Sequence, residues 1–228
     1  IAEGREERFT LTADFVAAAV RKHKPTITML CSPNNPTGTP LSLDVIEAVY
    51  SATAGVVVVD EAYAEFAYSD TPSALTLLEG RERLMVSRTM SKAFAFAGAR
   101  VGYLAADPAV IDALRLVRLP YHLSAFTQAA ALAALSHSDL MLGAVADIRV
   151  QRDRIIAELT ELGLDPYRSD SNFVLFGGLQ SPKDVWQRLL ERGVLVRDVG
   201  IDGTLRVTAG TEAETTQFLE ILTQVLKG

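Results

Sequence analysis

The sequence predicts an α/β fold with a largely parallel sheet, followed by a smaller α+β domain. Three observations carry this prediction. Short apolar segments alternate with helical patterns through the first part of the chain, polar residues gather directly after several of these segments, and from about residue 160 a second set of short strands and helices follows. Parallel strands need long crossover connections that are usually helices, so the alternating part favours a parallel sheet.

The composition indicates a packed protein and argues against a nucleic-acid surface. Of the 228 residues, 49% are hydrophobic and 22% are charged, and the net charge is −6. Such a chain is expected to form a core, and its negative charge disfavours binding to a phosphate backbone. Cys31 is the single cysteine, so we expect no internal disulfide and a cytoplasmic location. The apolar runs are too short to span a bilayer, and the histidines share no metal-ligand spacing, so we expect neither a membrane nor a metal partner.

Four short segments predict the strands of the larger sheet. They are apolar or β-branched, are bounded by turn residues, and cover residues 26–31, 55–60, 83–88 and 101–106. Continuous apolar runs of this length are typical of strands buried on both faces. Between them, "LSLDVIEAVYSAT" predicts a helix, and Asp107 followed by Pro108 marks the start of another.

The second part of the chain begins with helices and continues with further strands. Residues 124–162 predict helices that are first alanine-rich and then charged. The strands expected after them cover residues 172–176, 194–197 and 205–208. One helix is predicted with Ser181 as its cap, Pro182 as its first residue and Gly193 as its terminator, and another begins with a capping box of Thr211 and Glu214.

These patterns predict a division of the chain into three parts. They are part of a large α/β domain (1–125), connecting helices (126–160) and a small C-terminal α+β domain (161–228).

Polar side chains follow three of the predicted strands at their carboxyl ends. "SPNNPTG" follows "TITMLC", "DEAY" ends the run "GVVVVD", and "TMSK" follows "RLMVSR". Ligands of open α/β sheets bind at this edge, so we expect the polar residues to share one rim. They are Asn35, Asp60, Tyr63, Thr89, Ser91 and Lys92, with Arg100 just before the next strand. Taken singly, each has an ordinary explanation as a turn residue, a helix cap or a solvated charge.

In this order, the motifs resemble those of the fold-type I pyridoxal-phosphate-dependent aminotransferases. "SPNNPTG", "DEAY" and "SK" with an arginine eight residues later span Cys31 to Arg100, and "LRVTAGT" follows near the end. "RTMSKAFAFAGARVGY" and "LPYHLS" are most similar to histidinol-phosphate aminotransferases of the actinobacterial type. The resemblance implies a fold-type I large domain with a smaller C-terminal domain, the cofactor pyridoxal 5'-phosphate, and a homodimer.

The resemblance assigns the catalytic chemistry to Lys92, Asp60 and Tyr63. Lys92 would bond covalently to the cofactor aldehyde, which requires a neutral amine, and the apolar residues of "AFAFAG" would disfavour the charged form. Asp60 would keep the pyridine nitrogen protonated, which makes the ring a better electron sink. Asn35 and Tyr63 would hydrogen-bond the ring oxygen.

The resemblance assigns the cofactor phosphate to Thr89, Ser91 and Arg100. Two hydroxyl groups and one guanidinium suit a phosphate, because charge-assisted and bidentate hydrogen bonds are the strong ones. The spacing would let Lys92 reach the aldehyde while Arg100 reaches the phosphate.

The substrate residues implied by the resemblance lie further along the chain. Arg206 in "LRVT" would receive the substrate anion, and a guanidinium can bind the phosphate of histidinol phosphate or the carboxylate of glutamate. Arg197 is a candidate second cation, with a surface salt bridge as the alternative. Tyr121 and Asn172 are candidates for the lining of the cleft, and a core position is the alternative for Tyr121.

The expected reaction is amino-group transfer between L-histidinol phosphate and 2-oxoglutarate. Three alternatives stay open at this point: an aromatic amino-acid aminotransferase, a pyridoxal-phosphate-dependent decarboxylase on the same scaffold, and an inactive fragment. The chain starts at Ile1 without methionine, whereas intact members of the family begin well upstream. Their upstream part carries a glycine-rich phosphate turn and an aromatic residue that stacks on the cofactor, so we expect this chain to lack that part.

Overall fold

The computed structural model describes residues 8–227, which form α-helices and β-strands in two separate sheets. The helices are α1 (Ala13–His23), α2 (Leu43–Ala52), α3 (Pro108–Val117), α4 (Ala125–Ser136), α5 (Ser138–Glu161), α6 (Pro182–Leu190) and α7 (Glu212–Lys227). The strands are β1 (Ile27–Cys31), β2 (Val56–Asp60), β3 (Leu84–Thr89), β4 (Gly102–Ala106), β5 (Asp165–Pro166), β6 (Phe173–Gly177) and β7 (Leu205–Thr208).

The first sheet has the strand order β1-β2-β3-β4. The β1–β2 and β2–β3 pairings are parallel, and the β3–β4 pairing is antiparallel. Helices α1 and α2 bury their apolar faces against the central strands, where Val57 and Val59 of β2 pack with Leu84 and Val86 of β3. The predicted α/β fold with a mostly parallel sheet is therefore confirmed.

Burial on both faces was expected for every strand of this sheet, and for the two edge strands, β1 and β4, the expectation is wrong. In β4, Gly102 is exposed and Tyr103 is 54% exposed. Ile27 and Met29 of β1 are exposed, whereas Val57 and Val59 of β2 are fully buried. The reason is position, because β1 and β4 lie at the two edges of the sheet that the described residues form and only part of each is covered.

The second sheet is antiparallel and has the order β5-β6-β7. Strand β6 is buried along its whole length. Its core partners include Leu159 of α5, Leu189 of α6, and Phe218 and Leu222 of α7. Three helices thus cover a small sheet, as the α+β pattern predicts.

The strand predicted at 194–197 does not form, and the two-residue strand β5 was not predicted. Only Arg197 pairs with β7, through backbone hydrogen bonds of 2.9 and 2.8 Å with Arg206. The chain then turns, with Asp198 Oδ1 accepting from Gly200 N at 2.9 Å, and the pairing stops after one residue. A strand needs consecutive pairs, so this segment forms an isolated bridge.

The predicted helix starts agree with the structure in position. Asp107 Oδ1 accepts from Ala109 N at 2.8 Å at the start of α3, and Pro108 is the first helical residue. Ser181 precedes α6, although its side chain makes no capping hydrogen bond. Gly193 has a φ of 79°, which suits its predicted place after the helix.

Buried polar contacts join the two sheets. Asp170 is fully buried and accepts from Tyr68 N at 3.0 Å and Thr71 Oγ1 at 2.7 Å. Arg152 of α5 is also fully buried and donates to the carbonyl of Phe66 at 2.7 Å. These bonds fix the segment that enters β6 against the first sheet. The predicted domain boundaries at 125 and 160 stay predictions.

Within residues 8–227, no helix alone has the length and apolar character that crossing a membrane requires. Helices α4 and α5 meet that requirement only as a pair, and the pair is bent by 72°.

Candidate active site

The loop between β3 and β4 brings the "TMSK" segment close to the "GAR" segment. Met90 N donates to Val101 O at 3.1 Å, which continues the antiparallel pairing at the base of the loop. Phe96 N donates back to Met90 O at 3.1 Å and folds the loop onto itself. Ala95 and Arg100 have φ values of 52° and 55°, a left-handed conformation that is unusual outside glycine. Such backbone strain often accompanies functional segments.

Thr89, Ser91 and Arg100 form one cluster of donors in this loop. Thr89 Oγ1 lies 3.0 Å from Ser91 Oγ, and Ser91 N donates to Thr89 Oγ1 at 3.1 Å. Arg100 Nη1 donates to Ala97 O at 3.0 Å and reaches Ser91 Oγ at 3.5 Å. The hairpin pairing thus returns Arg100 to Ser91 and explains their separation in sequence.

Lys92 lies in the same loop, but its side chain is exposed rather than enclosed by apolar residues. The expected apolar surroundings of the amine are therefore absent among the described residues. Ala93 is buried and Phe94 packs beside it, so the apolar residues of this loop anchor it to the domain. The Nζ atom of Lys92 lies 5.4 Å from the centre of the Tyr63 ring.

Asp60 ends the central strand of this rim. It pairs in register with Cys31 of β1 and Ser87 of β3, and it is half-buried. Its Oδ1 accepts from Ala62 N at 3.1 Å, which orients the carboxylate at the carboxyl end of β2. Asp60 therefore lies between the Asn35 turn and the Lys92 loop, as the strand-end prediction required.

The "NNPTG" turn presents Asn35 to Tyr63. Asn34 N donates to Thr39 O at 2.8 Å and Gly38 N donates to Asn34 O at 2.7 Å, which closes the turn. Gly38 has a φ of 79°, and a Cβ there would lie 2.4 Å from Ser169 Oγ, so only glycine fits. Asn35 Nδ2 then donates to the Tyr63 hydroxyl at 3.3 Å.

Arg206 connects the second sheet to this group. Its Nη1 donates to Asn35 Oδ1, and its guanidinium lies 4.5 Å from the centre of the Phe173 ring. Among the residues that the structure describes, its Nε is buried and has no hydrogen-bond partner. Burial lowers the pKa of Arg206, as does the positive charge of Arg197, while Tyr63 acts in the opposite direction. A second cation and an unpaired donor at this position favour an anion as ligand.

The remaining substrate candidates differ in placement. Arg197 is exposed, and its backbone bridge to Arg206 puts both side chains on one side of the pairing. Asn172 is half-buried directly before β6, where its carbonyl accepts from Ala209 N at 2.9 Å. Tyr121 is 98% exposed, so the core alternative for it is wrong within the described chain. The substrate roles of these three residues stay predictions.

Phe173 is a member of the site that the sequence did not single out. Its ring meets that of Tyr63 edge to face, with centroids 5.3 Å apart, and it also lies under the guanidinium of Arg206. The available signal was its place after Asn172, but its apolar run predicts only a core strand. Glu61 and Arg88, which lie behind the rim, were also missed. Each is the sequence neighbour of a residue to which the motif assigns a role, Asp60 and Thr89, and the motif gives no separate role to either of them.

An open cleft of about 350 Å³ lies at this rim. Its walls include five of the predicted residues: Asp60, Thr89, Ser91, Lys92 and Arg100. The contact between Lys92 and Tyr63 connects this cleft to the pair formed by Asn35 and Arg206. Among residues 8–227, no three His, Cys, Asp or Glu side chains are arranged to hold a metal ion.

Comparisons with known proteins agree with this arrangement. A family model described as aminotransferase class I and II matches residues 3–222 of the chain. Histidinol-phosphate aminotransferase of Paenarthrobacter aurescens (strain TC1) is 64% identical over 227 residues, which cover 98% of this chain and 61% of that protein. The enzyme of the same name from Frankia casuarinae is 57% identical over 232 residues, which cover 100% of this chain and 58% of that protein.

A solved structure gives the same fold. The crystal structure of histidinol-phosphate aminotransferase from Sinorhizobium meliloti in complex with pyridoxal-5'-phosphate superposes with a TM-score of 0.85 at 27% identity. The superposition covers 96% of this chain and 62% of that one. The chain therefore spans about 60% of the length of the curated relatives it matches, at 61% and 58% for the two named here.

Proposed function

The chain belongs to the aminotransferase class I and II family, and we propose that its protein transfers an amino group between L-histidinol phosphate and 2-oxoglutarate. The observation that carries the proposal is that Lys92 and Asp60 line one cleft of the first sheet and that Arg206 of the second sheet contacts Asn35 beside it. We further propose that the protein works in the cytoplasm, which its single cysteine favours, and that it is a homodimer, as the resemblance implies.

The donor set fits pyridoxal 5'-phosphate, the cofactor named for the Sinorhizobium meliloti enzyme. Thr89, Ser91 and Arg100 form a cluster with the two hydroxyl groups and one guanidinium that a phosphate needs. Asp60 lies on the same cleft and suits a protonated ring nitrogen, and Lys92 suits an aldehyde. The cleft of about 350 Å³ leaves room for a substituted pyridine between them.

When bound, pyridoxal phosphate supplies an electron sink for the bond that breaks at the substrate carbon. In the proposed mechanism, Asp60 holds the proton at the ring nitrogen and thereby strengthens that sink. Asn35 and Tyr63 would donate hydrogen bonds to the ring oxygen of the bound cofactor. Once free of the cofactor aldehyde, Lys92 Nζ would take the proton from the substrate carbon in one half of the reaction and deliver a proton to the substrate carbon in the other half.

Arg206 binds the substrate anion in this proposal and sets its orientation. Its unpaired Nε and its contact with Asn35 place a donor beside the ring-oxygen residues. The same fork can bind the phosphate of histidinol phosphate and the carboxylate of glutamate, which lets one site serve both half-reactions. Arg197 adds a second positive charge on the same side, and a dianionic phosphate gains most from it.

The test compares substrates and arginine variants in the full-length protein. Wild type should transaminate histidinol phosphate well and phenylalanine poorly. Arg206→Gln should lower kcat/KM for histidinol phosphate by roughly 10- to 100-fold, because it removes charge-assisted hydrogen bonds to the anion. The kcat/KM values for histidinol phosphate and for phenylalanine are measured from initial rates in a coupled glutamate assay.

Arg192→Gln is the matched control, because Arg192 is an exposed arginine that donates to the helix carbonyl of Arg188 at 3.0 Å. It should leave kcat/KM unchanged. Preference for phenylalanine would instead indicate an aromatic amino-acid aminotransferase. Release of carbon dioxide without amino transfer would indicate a decarboxylase.

A further inference from the structure

A buried ion pair lies directly behind the rim. Glu61 follows Asp60 in the chain and is 3% exposed, and Arg88 precedes Thr89 and is largely buried. Arg88 Nε and Nη2 donate to Glu61 Oε2 at 3.0 and 2.7 Å. Each member of the pair is thus covalently next to a residue assigned to the cofactor.

The pair is held in a network that uses both carboxylate oxygens of Glu61. Its Oε1 accepts from Ala74 N at 2.6 Å, and its Oε2 accepts from Ser73 Oγ at 2.7 Å. Arg88 Nη2 donates to Ser73 Oγ at 3.0 Å, and Arg88 Nη1 donates to Glu65 Oε1 at 3.2 Å. A pair with this many fixed partners holds a single geometry.

Arg88 contributes to the lining of the cleft, but its guanidinium nitrogens are bound to Glu61, Glu65 and Ser73. Side chains alternate along a strand, so Thr89 and Arg88 point to opposite faces, as do Asp60 and Glu61. Glu61 and Arg88 line a separate cavity of about 40 Å³ together with Ser32 and Ser73.

Arg88 stays charged in this position. Burial alone would lower the pKa of Arg88, but the hydrogen bonds to Glu61 and the charges of Glu61 and Glu65 raise it above its ordinary value. A charged pair that is broken by removing one member leaves the other without compensation in a buried position.

The ion pair of Glu61 and Arg88 connects β2 and β3 directly after the last backbone pair of these two strands. The last residues in register are Asp60 and Ser87, and Glu61 N donates to Ser87 O at 2.9 Å. Past that bond, the next link between the two strand ends is the bond from Arg88 to Glu61. This link therefore adds a side-chain constraint on the separation of Asp60 from Thr89 to the backbone pairing that ends at Ser87.

We propose that Glu61 and Arg88 are positioning residues that set the distance between the carboxylate for the ring nitrogen and the hydroxyl groups for the phosphate. The inference rests on the proposed function, because it takes pyridoxal phosphate as the molecule that bridges these two groups. The cofactor is rigid between its ring nitrogen and its phosphate-bearing carbon, so a change in this distance weakens contacts at one end or the other.

The test uses Arg88→Met, Arg88→Lys and Glu61→Gln in the full-length protein. Pyridoxal phosphate is titrated by absorbance, the pH dependence of the bound-cofactor spectrum is recorded, and the thermal midpoint is measured without cofactor. Arg88→Met and Glu61→Gln should weaken cofactor binding by roughly 10- to 100-fold, as changes behind ligand residues commonly do, and should shift the spectral pH profile. Arg88→Lys keeps the charge and should restore part of the affinity.

Arg83→Met is the matched control, because Arg83 precedes the opposite end of β3. It donates to Thr53 O at 2.7 Å and Gly55 O at 2.8 Å and lies 4.3 Å from the centre of the Tyr50 ring. This variant should lower the thermal midpoint and leave the spectrum and the affinity unchanged.

The outcomes separate the inference from the function on which it rests. Failure of wild type to bind pyridoxal phosphate would overturn the proposed function and the inference with it. If wild type binds and the Glu61 and Arg88 variants bind equally well, or if Arg83→Met changes the spectrum as much as they do, only the inference is overturned. If Arg88→Met does not fold, Arg88→Lys and Glu61→Gln decide.

Discussion

Tyr63 connects the cofactor residues with the substrate residues at the scale of single side chains. Its hydroxyl accepts from Asn35, which in turn accepts from Arg206, and its ring is met edge-on by Phe173. The amine of Lys92 lies over the same ring. A ligand that moves Arg206 therefore alters the hydrogen bonding of Asn35 and Tyr63 without touching them.

Lys92 is the residue whose role can be tested most directly. Incubating the full-length protein with pyridoxal phosphate and then reducing it with borohydride should fix the cofactor to Lys92, because this amine lies on the cleft beside Asp60 and Ser91. Peptide mapping by mass spectrometry identifies the labelled lysine. Lys92→Arg should abolish the label, and a label found on Lys22 or Lys24 would contradict the assignment.

At the scale of elements, the β3–β4 hairpin determines the spacing of the site. Strand β4 runs antiparallel to β3, so the loop leaves and returns at the same edge of the sheet. Buried Met90 and Val101 fix the base of the loop and carry Lys92 and Arg100 between them. An insertion between Lys92 and Arg100 would change the distance that separates amine and guanidinium.

The capping box before α7 gives a prediction for this element. Thr211 N donates to Glu214 Oε2 at 2.7 Å, and Glu214 N donates to Thr211 Oγ1 at 3.3 Å. Thr211→Ala should lower the free energy of unfolding by about 1 kcal/mol at neutral pH, because it removes the acceptor for a helix N–H. Urea unfolding measures the free energy of unfolding. Thr211→Ser keeps the hydroxyl group and should therefore lower this free energy only slightly.

The same element has a defined dependence on pH. Hydrogen bonds from the backbone and side chain of Thr211 lower the pKa of Glu214. A carboxyl whose pKa is lower in the folded state stabilises the fold above its unfolded pKa, and this contribution is lost as the pH falls through the lowered value. The difference between wild type and Thr211→Ala should therefore shrink in acid, and a difference that grows there would contradict the capping box.

Elements with strong local signals were predictable from the sequence. The capping box at Thr211 and the start of α3 at Asp107 follow from side chains that satisfy nearby backbone groups. The edge position of β1 and the isolated bridge at Arg197 depend on pairing with distant segments, which periodicity does not report. The polar residues at strand ends could be predicted because each follows its own strand in the sequence. The place of Phe173 in the site depends on the contact between the two sheets, which the sequence pattern does not report.

At the scale of the whole molecule, the two sheets meet through buried polar contacts and the contact between Tyr63 and Phe173, while some apolar side chains elsewhere stay exposed. Asp170 and Arg152 join the segment before β6 to the first sheet. Helices α3 and α4 carry exposed apolar side chains, with Leu116 87% and Phe126 90% exposed. Exposed apolar patches of this kind commonly mark surfaces that contact other protein.

The 228-residue chain expressed by itself should therefore self-associate through the surface of α3 and α4. Burying exposed leucine and phenylalanine side chains is favourable at about 25 cal/mol per Å², and nothing within the described residues covers them. Leu116→Lys should reduce the association, measured by sedimentation velocity over a range of concentrations. Glu220→Gln on α7 makes the same change of one unit in net charge at an exposed site and should leave association unchanged. A chain that stays monomeric at all concentrations, or one that responds equally to both substitutions, would show that this surface does not drive association.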